Sequence, residues 1–469
     1  METTAMQKTS GITMKDKIGY ALGDMGGLFF FGMVGSFLQM FYTDVLQIPL
    51  AHITVLLIVV RIWDGINDPI CGALIDRSKH GKHGKYRPYL RTAAIPLAIG
   101  GVLMFTKIPG LSATQYLIYA YVTHIIYEGM YTVMNVPYGS MASVMTDDTA
   151  ERSQLSTFRS IGAGLGGIPA QILLPLFVYS STAAGASYLD SGKLFVAILI
   201  FAVCTVAALW ASFYMTKERI PPPPPEKMIQ PNVVKTIGVL LRNRPFMVIC
   251  FASMLLIGIT FYTQTVYNFL YKDYFNEPEL YSLVAIATYA PTVILLLFLD
   301  KLVAHFGKRN LCAYGLLISV AANIVAYLVH TTDPYVFLVF CFLSGLGLTF
   351  MTMQIWALVA DVIDYQELLS KRREEATCYS FFSFTRKLGQ TLAGGGSTLL
   401  LAYIGYQIAE NDEVIVQAPE VAEKMYDIAT LVPAIAFLLM FLTLAFLYPL
   451  GKKEEEQMRE DLRRQRAGN

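Results

Sequence analysis

Polar and apolar positions in this chain fall into long blocks, and the apolar blocks are long enough to cross a bilayer. A hydrocarbon core of about 30 Å asks for about 20 predominantly apolar residues per helix. Twelve such stretches can be marked, at approximately 17 to 43, 50 to 74, 91 to 108, 114 to 145, 155 to 180, 192 to 215, 245 to 271, 279 to 300, 310 to 330, 334 to 360, 377 to 405 and 427 to 449. Lys and Arg gather in alternate connections: RSKHGKHGKYRP, DDTAERS, the 216 to 244 stretch, HFGKRN, LLSKRREEA and the tail KKEEEQMREDLRRQR. The intervening loops, such as DVLQIPLAH and VHTTDPY, carry almost none. The positive-inside rule then puts both termini in the cytoplasm, as an even helix count requires. The expected fold class is all-α: a polytopic membrane protein with twelve transmembrane helices in two six-helix halves.

The halves are separated by TKERIPPPPPEKMIQPNVVKTIGVLLRNRP. Five consecutive prolines cannot continue a helix and favour extended polyproline II, so this segment reads as a semi-rigid linker. The predicted organisation is a cytoplasmic segment at 1–16, a six-helix bundle at 17–215, a proline-containing linker at 216–244, a second bundle at 245–449 and a charged cytoplasmic tail at 450–469. A weak internal repeat agrees with the division. DRSKHGKHGK follows the second stretch and DKLVAHFGKR the eighth; FRSIG (158–162) opens the fifth and TRKLG (385–389) lies in the eleventh. Parallel repeats of six helices build several secondary transporters, which hold substrate near the midplane between the halves.

Composition narrows the picture. The 469 residues are 55% hydrophobic and only 15% charged, too oily for a soluble chain of this length, and the net charge of +1 offers no basic face for nucleic acid. The six cysteines stand singly in apolar runs without CxxC or a His cluster, so they read as packing residues and no metal site is expected. The polar first residues lack a cleavable signal's apolar core. There is no HExxH, no GxSxG elbow and no Ser, His, Asp constellation that the membrane segments could assemble, so an enzyme is not expected.

The informative exceptions are charges where oil should continue. RIWDGINDP (61–69) places Arg61, Asp64 and Asp68 in the second stretch, although each charge near a bilayer centre costs roughly 2.5 to 3.5 kcal/mol on insertion scales. Asp64 and Asp68 are four apart and share one helix face, with Arg61 able to pair with Asp64 at i, i+3. Two carboxylates one turn apart repel when both are ionised, so a bound proton or cation relieves them. Asp24 lies in the first stretch, Glu128 and Asn135 in the fourth, Arg159 in the fifth, and Arg386 with Lys387 in the eleventh. Intramembrane polar groups of this kind face a bundle interior or an aqueous cavity. Tyr20, Tyr131, Tyr138, Trp356, Phe381, Phe382 and Phe384 cluster near the same segments; rings with carboxylates and basic groups suit a glycoside, whereas aromatics at helical spacing also serve as packing. GAGLGGIP (162–169) and LAGGGS (392–397) suggest close helix approach rather than phosphate binding.

GALIDRSKHGKHGKYRP resembles the loop after the second helix of the major facilitator superfamily, and WDGINDPICGALIDR followed by GKYRP is similar to its glycoside, pentoside, hexuronide to cation symporter family. LVADVIDYQE (358–367) and SFFSFTRKLGQ (380–390) fit the same family in the second half, while MNVPYGSMA, LLRNRPF and FSFTRK look like its glucuronide carriers. The resemblance covers nearly the whole chain. It implies a cation-coupling site at Asp64 and Asp68 with Lys387 and Asn135 nearby. It also implies a substrate site at Asp24, Tyr131, Asn135, Arg159, Ser383 and Lys387. Asp76, Arg77, Asp300 and Lys301 are expected to join the halves on the cytoplasmic side as a gate.

Two positions depart from the family pattern: Asn135 stands where a helix-four Asp serves sugar and cation, and Gly139 where a Trp stacks on the sugar. The missing carboxylate tilts the expected co-transported ion from sodium to a proton. The basic residues Arg159, Arg386 and Lys387 suit a substrate with a carboxylate. The expectation is therefore a monomeric importer of a glycoside, a glucuronide or other hexuronide or pentoside favoured, in the bacterial inner membrane, coupled to a cation and needing no cofactor. The alternatives are a sodium-coupled glycoside symporter and a lipid or lysolipid transporter of the same superfamily.

Overall fold

The computed structural model describes residues 11–78, 81–146, 148–182, 187–220, 243–296, 298–370, 375–408 and 415–467. Most of the proline-containing linker expected at 216–244 lies outside the described residues. Among the described residues, twelve long helices precede the tail: α1 Met14–Met40, α2 Leu50–Arg77, α3 Arg87–Met104, α4 Ala113–Met145, α5 Thr149–Ile172, α6 Ser191–Met215, α7 Arg244–Asp273, α8 Tyr281–Leu296, α9 Lys308–Val329, α10 Pro334–Ser370, α11 Glu375–Tyr403 and α12 Pro419–Leu442. A thirteenth, α13 Lys452–Ala467, forms the charged tail. Among the described residues, nine helices are long and apolar enough to cross a membrane.

Local chemistry sets several helix ends. Thr13 and Asp16 form a reciprocal capping box at the start of α1, each side chain bonding the other's backbone N–H. Ser112 and Gln115 do the same for α4. The expected span at 155 to 180 stops earlier: α5 ends at Ile172 just beyond Pro169, and after a single turn at Pro175–Val178 the chain forms a two-stranded ribbon from Tyr179–Ser181 and Ser187–Leu189. This small sheet is the exception to an all-α reading. The expected span at 279 to 300 is likewise divided, α8 being followed by a short helix at Leu299–Phe306 that stops at Gly307, whose φ of 75° suits glycine.

The chain clusters into two compact units. One comprises Met1–Ile48, Val59–Val178 and Leu189–Ile229; the other comprises Pro49–Ile58, Tyr179–Tyr188 and Gln230–Asn469. In the first unit α1 packs on α5 and α6, and α3 packs on α4 and α6. In the second, α7 packs on α11 and α12, and α9 on α10 and α12. The pairing is the same with each helix advanced by six, so the weak sequence repeat corresponds to a repeated packing plan. Its glycines carry it: a Cβ on Gly162 would collide with backbone atoms of Ala21 in α1, and one on Gly389 with the Met254 carbonyl oxygen in α7. FRSIG and TRKLG thus each end on a position where a helix crosses its partner backbone to backbone.

A second repeated device closes the opposite pairs of helix ends. After α6, Glu218 accepts the backbone N–H groups of Lys85, Tyr86 and Arg87 at 2.7 to 2.8 Å, placing a carboxylate on the positive end of α3. After α12, Glu455 of the tail helix meets Lys308 at the start of α9 at 2.9 Å. Lys308 also pairs with Asp361 of α10, and Arg459 reaches the same carboxylate at 3.3 Å.

Candidate functional site

Asp24, Arg159, Arg61, Asp64, Asp68 and Glu128 of the first unit assemble into two groups. In the first, Arg159 of α5 lies with Nε 3.4 Å from Asp24 Oδ1 of α1, and its guanidinium sits over the Tyr138 ring at 5.2 Å. Asp24 is buried, while the Arg159 side chain keeps 38% of its surface exposed. The pair is therefore anchored at the carboxylate and open at the guanidinium. Tyr138 stacks on Tyr20 with centroids 4.7 Å apart, and its hydroxyl donates to the Tyr20 carbonyl at 2.7 Å. Both rings are buried and form the wall behind the pair.

The second group is built on α2 and α4. Asp64 is buried and lies 3.8 Å from Arg61 Nη1, the i, i+3 pairing that the sequence spacing allows. Asp68, one turn on, accepts a hydrogen bond from Thr132 Oγ1 of α4 at 2.9 Å. Arg61 Nη1 is also 3.4 Å from Glu128 Oε1, so one guanidinium is shared between carboxylates of two helices. Asn67, between the two aspartates, accepts from the Cys71 thiol at 3.3 Å. This arrangement offers carboxylate, hydroxyl and amide oxygens on two adjacent helices, a donor set suited to a proton or a hard cation.

Tyr131 and Asn135 are half-buried and one turn apart on α4. The Tyr131 ring stacks with Phe31 at 5.9 Å and lies 6.3 Å from the Tyr127 ring. Gly139, the other departure from the family pattern, is exposed, and a Cβ there would meet nothing within 4 Å. The space a larger side chain would fill is open.

The remaining expected residues belong to the second unit. Ser383 and Lys387 are half-buried and one turn apart on α11. Arg386 stacks over Trp356 at 5.0 Å, and Trp356 meets buried Phe382 edge-on at 5.6 Å. Trp356 is 45% exposed, so it presents a ring face beside a guanidinium. Of the expected gate residues, Lys301 is exposed. The side chains of Asp76, Arg77 and Asp300 lie outside the described residues. Among the described residues, no group of three or more His, Cys, Asp and Glu side chains is placed to hold a metal ion. His124, Glu218, Asp361 and Arg459 were not singled out by sequence; a His four residues before Glu128 was the one available signal for the first of them.

Comparison with known proteins gives these positions a context. Residues 19–452 match the family model described as MFS/sugar transport protein. The chain is 33% identical to an uncharacterized symporter, YjmB, of Bacillus subtilis (strain 168), over 98% of both chains. It is 30% identical to the glucuronide carrier protein homolog of Escherichia coli (strain K12), over 94% of this chain and 93% of that one. Among solved structures, the D-xylose-proton symporter overlays with a TM-score of 0.64 at 13% identity, covering 93% of this chain and 98% of the other, a likeness of fold.

Proposed function

Because the chain belongs to the MFS/sugar transport protein family, and is a multi-pass membrane transporter and not an enzyme, we propose that it imports a glycoside with a carboxylate, a hexuronide such as a glucuronide, by proton symport through alternating access. The observation that carries the proposal is the Asp24 and Arg159 pair, its carboxylate buried and its guanidinium open. A carboxylate that already holds a cation accepts hydrogen bonds from sugar hydroxyls, and a partly exposed guanidinium binds a substrate carboxylate through its fork of donors. Similarity to a glucuronide carrier homolog supports this choice of substrate.

In this reading Asp64 and Asp68 take the coupling proton, with Asn135 supplying an uncharged neighbour, and protonation favours sugar binding at Asp24, Tyr131, Asn135 and Arg159. Ser383 and Lys387 contribute from the second unit, Lys387 as a cation for substrate or for the coupling carboxylates. Empty and fully loaded carriers cross, and half-loaded ones do not. Asp76, Arg77, Asp300 and Lys301 act as a cytoplasmic gate. The carrier works as a monomer in the bacterial inner membrane with both termini in the cytoplasm.

The deciding experiment is uptake of a labelled aryl glucuronide by proteoliposomes in sodium-free buffer, with and without an inward proton gradient. Accumulation above equilibrium only with the gradient is the expected result. Uptake of a neutral glycoside that requires sodium would overturn both the ion and the substrate class.

A further inference from the structure

We propose that His124 and Glu128 form a second, buried proton-binding pair, joined to the α2 carboxylates through Arg61. Its place in transport rests on the proton-symport reading above, but its existence does not.

The geometry is that of a stepwise chain. Tyr42 lies in a π-helical turn, Phe41–Val45, that continues α1; such turns interrupt helices most often at functional positions. Its hydroxyl is 3.4 Å from His124 Nδ1. One turn along α4, Glu128 Oε1 faces His124 Nε2 at 3.7 Å and Arg61 Nη1 at 3.4 Å. Arg61 Nη1 in turn lies 3.8 Å from Asp64 Oδ2. Tyr42 follows the end of α1, so the contacts run in the order Tyr42, His124, Glu128, Arg61, Asp64. His124 sits roughly 17 Å of helix rise from the start of α4.

Two features distinguish this from a simple helix clamp. His124 is 1% exposed, and its Nε2 makes no hydrogen bond among the described residues although it points at a carboxylate; buried polar nitrogens are nearly always bonded. A shift of under an ångström would close the gap to Glu128 if a proton were shared between them. The second feature is competition for Arg61. One guanidinium stands between Glu128 and Asp64, so the protonation of either carboxylate frees it for the other.

The groups facing the pair define the proton's choices. From α1 come Phe30, edge-on to Tyr127, and Tyr42. From α2 come Arg61 and Asp64, and from α4 itself Tyr119, Tyr127 and Tyr131, with Asp24 and Arg159 acting on Tyr131 from beyond. On the α3 side, Gly100 lies against the Tyr127 backbone. Among these, the imidazole and the carboxylates are the groups that exchange protons more readily than the tyrosines and the guanidinium do. A proton arriving on the Tyr42 side lands on His124 Nδ1, making imidazolium, and the Nε2 proton passes to Glu128 Oε1, restoring neutral imidazole with its proton on Nδ1 and leaving a carboxylic acid. Arg61 then balances Asp64. Release reverses the order and no other bond changes.

Infrared difference spectra between acid and alkaline buffer, recorded on the full-length carrier in lipid without substrate, read carboxyl protonation directly. A carboxylic C=O band is expected that disappears in Glu128→Gln and whose midpoint moves in His124→Gln. The second variant keeps the carboxyl, so it serves if the first fails to reach the membrane. A spectrum and midpoint unchanged by the variants would overturn the site. In proteoliposomes, Glu128→Gln should lose roughly tenfold of its gradient-driven accumulation of labelled p-nitrophenyl β-D-glucuronide relative to its own counterflow of the same compound, the scale of a typical coupling energy. Wild type lacking proton-driven uptake but showing the titrating Glu128 band would sink the symport reading and leave the site. Proton-driven uptake without that band would do the reverse.

Discussion

Gly162 and Ala21 meet backbone to backbone where α5 crosses α1, and Gly389 meets Met254 in the same way where α11 crosses α7. In each case the obstacle to a Cβ is a carbonyl oxygen, which cannot swing aside as a side-chain tip can. Gly162→Ala and Gly389→Ala should each cost about 1 to 3 kcal/mol through overpacking. Gly129→Ala on α4, where a Cβ meets nothing within 4 Å, should be neutral or gain up to about 1 kcal/mol of helix propensity. Thermal unfolding in detergent separates the cases; three equal midpoints would refute the close-approach argument.

The Asp24 and Arg159 pair should be felt in substrate affinity. A hydrogen bond to a charged group contributes about 1.5 to 3 kcal/mol, and each 1.4 kcal/mol is tenfold in affinity. Asp24→Asn and Arg159→Gln should therefore raise half-saturation for an aryl glucuronide at least about tenfold. The two variants should also differ. Asp24→Asn is expected to weaken every glycoside, whereas Arg159→Gln should weaken the glucuronide more than the matching neutral glucoside. Equal losses on both substrates would remove the guanidinium from carboxylate recognition.

Much of this was legible in the chain because a membrane forbids waste. Arg61, Asp64, Asp68, Asp24 and Arg159 stood out as charges in oil, and the i, i+3 spacing of Arg61 and Asp64 foretold their contact. The packing role of the 162–169 glycines was readable for the same reason. What sequence could not give was partnership across helices. Glu128 had no visible partner on another helix until α2 brought Arg61 to it, and Glu218, three residues past α6, showed no sign that it would cap α3. Tyr20 and Tyr138 looked as fit for sugar as Trp356, yet the two tyrosines are buried against each other while the tryptophan stays 45% exposed.

Glu218 itself supplies a stability prediction. It satisfies three backbone N–H groups that no residue within α3 can reach, and it sits on the helix dipole. Glu218→Ala should cost about 1 to 2 kcal/mol, as loss of an N-terminal cap does, and Glu218→Gln should recover part of it by keeping an acceptor without the charge. Unfolding midpoints of the three proteins would check this. A glutamine variant less stable than the alanine one would show that the carboxylate acts otherwise.

Asp64 and Asp68 occupy one face of α2 but different surroundings, and that difference can be measured. Asp64 has a guanidinium at 3.8 Å; Asp68 has the Thr132 hydroxyl at 2.9 Å. A guanidinium is a permanent charge that favours an ionised Asp64, whereas the Thr132 hydroxyl donates a hydrogen bond to Asp68 without bringing a charge. Asp68→Asn should then abolish uphill accumulation while exchange of substrate across the membrane persists, because an uncharged site no longer has to be loaded before the carrier turns. Asp64→Asn should do more. With its carboxylate gone, Arg61 is left with Glu128 as its acidic neighbour, and the buried charge balance of the unit shifts, so both exchange and accumulation should fall. Thr132→Val keeps both carboxylates and removes one oxygen donor, and is expected to change the concentration of driving ion needed for half-maximal uptake several-fold without abolishing it. Paired assays of counterflow and gradient-driven uptake distinguish the three. Uphill accumulation surviving Asp68→Asn would place the coupling ion elsewhere.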